Sequence, residues 1–436
     1  MRTILIAALL IMLSAKVYPQ GWTQTNSTPA GAGVTDMVVM NDGTLIVTTA
    51  SYNWPSVQGG IRRSTDGGNS WQNVVNAYNG RTLYLGSSGR MFASCWLYPE
   101  NEGVFFSTNG GANWIQSYFG FANDNVFSIA AKNGDSMVFI GTRDGIFRNF
   151  NNGAWIQRNT GLPASSWVRD ISIHPGGTIL IATTNGVFRS SDHGNNWSPA
   201  SSGISSGDTI ISISKFTNNG TVFCASSSGK AYKTNISSFS WSTVFSMRAD
   251  LIGKIDVAQL SADIYLVWIS SLLEEVLDDM HYSDDEGLTW ESTSLGLSGS
   301  SPVSSLGFGT PTLTGLKVYA GLFLNNSSGA KIFYNDLKVG VNMISSEIPE
   351  SFVLHQNYPN PFNPSTKISF DLSSSSHVLI SVYDILGNEI EVLANEDLAA
   401  GKYSIEWNAG NFSSGTYFYK LRTKDFTQVR KMNLVK

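Results

Sequence analysis

RSSDHGNNW spans Arg189–Trp197, and three other stretches nearly copy it: RSTDGGNSW at 63–71, FSTNGGANW at 106–114 and HYSDDEGLTW at 281–290. Each copy holds a serine, an Asp or Asn, a glycine and a tryptophan at fixed offsets: Ser64/Asp66/Gly68/Trp71, Ser107/Asn109/Gly111/Trp114, Ser190/Asp192/Gly194/Trp197 and Ser283/Asp285/Gly287/Trp290. The acid is expected to close a tight loop by accepting backbone N–H groups one or two residues on. The glycine takes the left-handed conformation that a β-carbon penalises. The tryptophan returns to an apolar layer and buries roughly 200 Å² of ring. Calcium binding would need several converging carboxylates, and one per loop is too few.

The spacing of the tryptophans sets the architecture. Trp22, Trp71, Trp114, Trp155, Trp197, Trp241 and Trp290 stand 49, 43, 41, 42, 44 and 49 residues apart, the period of a four-stranded propeller blade. Between markers, DISIHPGGTILIATTNGVFRSSDHGNNW (170–197) reads as strand, turn, strand, Asn185-Gly186 hairpin, strand and loop, with a fourth strand starting at Trp197. Ahead of Trp155 and Trp241 the loop has lost its Ser and Asp. After Trp290 come three strand-like runs without a Trp-led fourth, while GWTQTN (21–26) is a Trp-led strand without its three. Pairing Trp22–Asn26 beside Lys331–Asn335 closes an all-β ring of seven blades and removes its open edge.

The S-x-D-x-G-x-x-W copies resemble the Asp-box (BNR-like, sortilin-like) repeat of β-propellers, over roughly residues 20–340. The resemblance implies a structural role for the boxes. It also raises an enzymatic alternative, since sialidases and some glucan hydrolases carry such repeats.

Glycine numbers 42 and charged residues make up 14% of the chain, a balance that suits a turn-rich β protein. The net charge of -5 gives no basic field for nucleic acid. Arg2 followed by ILIAALLIML (4–13) and SAKVYPQ reads as a secretory signal over 1–19. No later run is long enough for a transmembrane helix. Cys95 and Cys224, three repeats apart, read as two buried thiols rather than a disulfide.

Loops joining second to third strands, and one blade to the next, should emerge opposite the boxes. Several carry aromatics suited to ligand contact: Tyr52, Trp54, Trp96, Tyr98, Phe119, Phe121 and Trp167. Sealing the blade junctions is the alternative role for these rings. For a glycan-active enzyme, Arg62, Arg63, Arg143 and Arg169 are the arginines near that face. Asp36, Asp124, Asp144 and Asp170 are the carboxylates that could approach the mouth, though no spacing singles out a catalytic pair. No metal-ligand spacing, phosphate loop or nucleophile elbow occurs, so no metal or cofactor is expected. SSLLEEVLDDM (270–280) has helical periodicity and reads as a short amphipathic helix.

Composition shifts at 341–350, read as a linker. Beyond it, about seven short strands in 351–436 suggest a small β-sandwich of immunoglobulin type. NYPNPFNP (357–364), VYDILGNEI (382–390), GKYSIEWNA (401–409), SSGTYFYKL (413–421) and RKMNLVK (430–436) closely resemble the type A C-terminal sorting domain of the type IX secretion system. The resemblance implies passage across the outer membrane of a Gram-negative cell, with the type IX machinery as partner and a surface or secreted destination. The tail residues Arg430, Lys431, Leu434 and Lys436 are candidates for recognition. The reading is therefore a secreted binding or adhesion propeller of unknown ligand.

Overall fold

Strands and turns account for every described element, with no helix among the described residues. The computed structural model describes residues 17–435 except 19–21, 32, 51–57, 97–101, 118–125, 133, 248–251, 260–264, 272–279, 293–296, 298–302, 310–315, 323–329, 340–341, 346–347 and 410–411. Contacts divide the chain into two compact units, one on Pro19–Pro311 with Leu316–Asp336, the other centred on Leu337–Lys436.

The best-formed repeat shows why these residues become strands. Val168–Ile173, Ile179–Thr183, Gly186–Ser190 and Ser198–Pro199 form one antiparallel sheet in chain order. Ile179–Thr183 is buried throughout, which is why its sequence is a continuous apolar run: neighbours cover both faces. Thr183 Oγ1 donates to Gly186 O at 2.8 Å and accepts Asn185 N at 3.0 Å, so the hairpin is closed by a side chain as well as by backbone. Thr142, Asp144 and Gly145 repeat these bonds one sheet earlier.

The same meander recurs with first strands at Gly33–Val39, Asn79–Leu85, Val126–Lys132, Val168–Ile173, Ile210–Ile213, Ile252–Gln259 and Val303–Phe308. Each first strand lies against the next, and the last lies against the first. Every one is bulged near its start, at Val34/Asp36, Gly80/Thr82, Val126/Ser128, Val168/Asp170, Ile210/Ser212, Ile252/Lys254 and Val303/Ser305. A single pair, Ala50↔Asn79, joins the first two meanders into one eight-stranded sheet. The last meander takes its outer strand from the other end of the chain: Thr23 pairs Tyr334 and Gln24 pairs Phe333.

The periodic tryptophans fill the gaps between successive sheets. Trp71 packs with Val34 and Leu45 of the first sheet and Ile332 of the last. Trp197 packs with Phe139 and Ile146 of the preceding sheet and Ile181 of its own. Trp114, Trp155, Trp241 and Trp290 occupy the matching positions. Trp22 meets Trp268 edge-on at 6.1 Å.

In the Ser–Asp–Gly–Trp turns the bonding differs from expectation. The acid reaches four residues on: Asp66 Oδ1 accepts Ser70 N, Asn109 Oδ1 accepts Asn113 N, Asp192 Oδ1 accepts Asn196 N and Asp285 Oδ1 accepts Thr289 N, at 2.8–3.0 Å. The near donor is taken by the serine. Ser64, Ser107, Ser190 and Ser283 each accept, on Oγ, the N–H of their loop glycine at 2.7–3.0 Å. Hydroxyl and carboxylate thus share the loop.

The loop glycines Gly68, Gly111, Gly194 and Gly287 sit at φ +89, +75, +77 and +82, as the turn demands. The left-handed conformation is as the sequence reading expected, and the structure adds a second reason for glycine at these positions. All four are buried, because each faces the sheet that precedes its own. A β-carbon on Gly111 would come within 2.7 Å of Ile46, and one on Gly194 within 2.9 Å of Phe139. On Gly287 it would stand 3.3 Å from Val244, and on Gly68 2.8 Å from Thr25. Close approach between sheets therefore requires glycine at these positions as much as the left-handed turn does.

The loops are also stapled from the preceding sheet. Arg63 Nε donates to Gly110 O (2.9 Å), Arg148 Nη1 to His193 O (2.6 Å) and Lys233 Nζ to Glu286 O (3.1 Å). Each acceptor directly precedes the loop glycine and itself has positive φ, which turns its carbonyl outward.

The second unit is two four-stranded antiparallel sheets. One orders Asn342–Ser345, Gly401–Asn408, Ser365–Leu372 and Val353–Leu354; the other orders Glu389–Leu398, Ser376–Tyr383, Gly415–Arg422 and Thr427–Leu434. Trp407, Phe370, Val382 and Tyr419 are among the side chains of their common core. Within the stretch read as linker, Asn342–Ser345 is a strand on Gly401–Asn408.

Of the expected helix at 270–280, Ser270 belongs to the strand Tyr265–Ser271 and Met280 opens the strand Met280–Ser283. Residues 272–279 lie outside the described residues, as does the signal stretch 1–19 apart from Val17–Tyr18, which pair Lys338 and Val339.

Candidate functional site: an arginine and aromatic cluster

The starts of the first strands and the hairpins between second and third strands share one end of the sheets. Arg81, Phe127 and Arg169 are the bulged residues of three successive first strands. A bulge re-aims the side chain of its extra residue. Here it brings the three into one cluster with Trp167 and with Arg143 from the Thr142–Gly145 hairpin. The Phe127 and Trp167 rings are 20° from parallel with centroids 6.1 Å apart. Arg169 lies 5.0 Å from the first and 5.1 Å from the second. Arg143 covers Trp167 at 4.5 Å and Arg81 stands 5.9 Å from Phe127.

The supports are rigid. Trp167 N donates to Thr184 Oγ1 and Thr184 N to Trp167 O, both at 3.2 Å. Asn159 Nδ2 donates to Asp144 O at 2.7 Å and Asn159 Oδ1 accepts Ile146 N at 2.9 Å, pinning the hairpin that carries Arg143. Neither Arg143 nor Arg169 is ion-paired to a described residue, and Arg169 Nε is buried without a partner. Burial draws the Arg169 guanidinium below its ordinary range. An anion placed beside Arg143 and Arg169 would accept charge-assisted hydrogen bonds from guanidinium groups that the rings hold in place.

Of the aromatics expected on this face, Trp167 is in the cluster. Trp96 packs edge-on against Tyr78 at 4.7 Å. Tyr52, Trp54, Tyr98, Phe119 and Phe121 lie outside the described residues. Arg62 and Arg63 are not at the open face. Arg62 is fully buried and donates to five carbonyls, those of Ala30, Ile61, Val75, Gln58 and Gly59, at 2.7–3.1 Å. Arg63 staples a turn, as above. Arg81 and Phe127 escaped sequence reading because nothing in a strand's alternation announces a bulge.

The acids are committed to structure. Asp36 Oδ1 accepts Met37 N and its Oδ2 accepts Leu83 N of the next first strand, at 3.0 and 2.9 Å. Asp170 repeats the pattern with Ile171 N and Ile213 N, at 2.9 and 3.0 Å. Lys254, from the sixth first strand, reaches Asp36 at 3.1 Å and is also drawn to Asp256 and Asp170. Asp144 is exposed on its hairpin, and Asp124 is outside the described residues.

Burial pushes the Asp170 carboxyl from 3.8 up to about 6, against the pull of Lys254 and three hydrogen bonds. The folded chain therefore holds this proton more tightly than the unfolded one. Its contribution is full below pH 3.8 and fades as pH rises through 6. Between pH 4 and 7 the wild type should lose on the order of 2–3 kcal/mol relative to Asp170→Asn. Parallel denaturant titrations of the two proteins measure this, and a pH-independent difference would refute it.

The turn acids Asp66 and Asp192 are drawn down to about 2, chiefly by side-chain hydrogen bonds from Ser70 and Asn196. They stay charged and stay occupied by their own loops. No group of three or more His, Cys, Asp or Glu suited to a metal occurs among the described residues. In the second unit, Arg430 Nε donates to Leu354 O at 3.0 Å and Leu434 is buried. Lys431 is exposed and Lys436 is outside the described residues. The tail is thus a strand of a sheet. The Pro-rich stretch guards its edge, with Phe362 N donating to Asn433 O and Asn433 N to Asn360 Oδ1.

Residues 356–435 match the family described as "Secretion system C-terminal sorting domain". No curated protein matches the sequence. Among solved structures, YCF48 bound to D1 peptide is similar at 16% identity and TM-score 0.52, covering 74% of this chain and 97% of that one. The extracellular domain of BT4673 from B. thetaiotaomicron, a putative one-component or hybrid two-component system, is similar at 12% identity. Its two structures give TM-scores of 0.52 and 0.54, over 97% and 96% of this chain. This chain spans 59% and 60% of those two chains. At such identities the likeness concerns the fold alone, and that fold is propeller-like. The chain thus carries a type IX C-terminal sorting domain in company with a propeller-like all-β fold, and it is a protein of the cell surface or the extracellular space.

Proposed function

We propose that this chain is a seven-bladed Asp-box β-propeller (20–340), led out of the cytoplasm by a signal over 1–19, that binds an anionic partner at the open face of its ring. The sorting domain would occupy 351–436, in an immunoglobulin-like sandwich. The observation that carries the binding role is the Arg81–Phe127–Arg169–Trp167–Arg143 cluster, at the end of the sheets away from the Ser–Asp–Gly–Trp turns: Arg143 and Arg169 lie on the two stacked rings with no acid among the described residues paired to either. The closed cycle of seven bulged first strands supports the blade count. YCF48, of similar fold, is seen with a peptide, and a peptide bearing carboxylates suits the arginines here. On the sequence reading, Tyr52, Trp54, Tyr98, Phe119 and Phe121 would extend the binding surface. A glycan-active site finds less support, because Asp36 and Asp170 are engaged by backbone N–H groups.

Calorimetry of the full chain with an acidic peptide such as oligoglutamate tests the reading. Arg143→Ala/Arg169→Ala should weaken binding by about 10- to 100-fold, and binding should fall with added salt. Equal affinity of variant and wild type would refute the assignment.

A further inference from the structure

The sorting domain exposes two large aliphatic side chains side by side. Ile385 is 72% and Leu386 84% accessible, at the tip of the hairpin between Ser376–Tyr383 and Glu389–Leu398. The turn is closed from within: Asp384 accepts Leu386 N at 2.8 Å, Asn388 N at 2.9 Å and Asn388 Nδ2 at 2.8 Å. Asp384 N donates to Asn388 O, and Gly387, at φ +84, donates to Asp384 O. The side chains in these bonds are those of Asp384 and Asn388, and Leu386 contributes only its backbone N–H, so the turn itself does not require Ile or Leu side chains at the two tip positions. The adjacent core is complete without them. Two adjacent solvated aliphatics on a rigid tip are costly unless something covers them.

Of the tail residues nominated for recognition, Arg430 is engaged by Leu354 O and Leu434 lies in the core, while Lys431 is exposed. A domain matched to secretion sorting over 356–435 must nevertheless be read by the type IX machinery. We infer that the Ile385–Leu386 tip is the contact by which that machinery reads this domain, seated in an apolar pocket of a machinery component.

The test uses the full chain in living cells with an active type IX system, scoring extracellular against periplasmic protein. Ile385→Ser/Leu386→Ser should cut the extracellular fraction at least about tenfold, with purified variant and wild type melting within about 2 °C of each other. Ile385→Met/Leu386→Met keeps the apolar surface and should be exported as the wild type is. Normal export of the serine pair would overturn the inference, as would failure of the methionine pair in a folded chain. A wild-type self-association that the serine pair abolishes while export continues would also overturn it, assigning the tip to a second copy.

Discussion

Deletion of residues 21–27 should lower the melting temperature by more than about 10 °C. The segment supplies the outer strand of the last meander, and its contacts are specific. Trp22 is 5% accessible and meets Trp268. Thr23 and Gln24 pair Tyr334 and Phe333, and Thr25 N donates to Ile332 O at 2.9 Å. Ser27 N donates to Gly68 O, and Ser27 O accepts Trp71 Nε1, so the first sheet is tied to the same segment. Losing a buried tryptophan alone costs about 3–5 kcal/mol, and each hydrogen bond adds about 1 kcal/mol. At about 2–4 °C per kcal/mol for a large domain, the sum exceeds the stated shift. The deletion also bares the edge of Lys331–Val339 to other chains. Differential scanning calorimetry at one scan rate checks the result, and an unchanged melt would mean the termini do not close the ring.

Arg62→Ala should destabilise the first unit by about 3–5 kcal/mol. The guanidinium is fully buried, and burial lowers it to about 10, so it remains charged at neutral pH. Its counter-charge is a set of five carbonyl dipoles rather than an acid. These acceptors come from the strands Gly59–Ser64 and Gln72–Ala77 and from Gln58 and Ala30. Removing the fork strands several of them without a donor, at a cost per group above that of an ordinary hydrogen bond. Arg62→Lys should recover little, because a single ammonium cannot satisfy a planar array. The urea midpoints of the three proteins give the measurement. A substitution by alanine that left the midpoint in place would show that the carbonyls find other donors.

Much of the fold could be read directly. The tryptophan period and the Asn185-Gly186 hairpin foretold a chain of four-stranded meanders, and Trp22–Asn26 foretold the pairing with Lys331–Asn335. The turn glycines were legible only by half. Their left-handed φ follows from the motif, whereas the contact of Gly111 with Ile46 and of Gly194 with Phe139 needs the neighbouring sheet in place. The candidate site was legible in part. Trp167, Arg143 and Arg169 could be named from their place on loops and strand starts. Arg81 and Phe127 could not, because a bulge shifts a side chain without changing the alternation of residue types. Arg62 was misplaced for a related reason: an arginine near a loop reads as solvated until five carbonyls are seen around it.

The amino-acid order by itself determined the repeat, its period, the left-handed turn glycines and the sorting tail, since these rest on local offsets and the propensities of Gly, Asn, Asp and Trp. What Asp36, Asp170 and Lys254 do was decided by tertiary structure alone. They stand on three separate first strands, and Lys254 reaches Asp36 at 3.1 Å across 218 residues of sequence. Such a contact arises from the cyclic packing of first strands, and no local pattern encodes it.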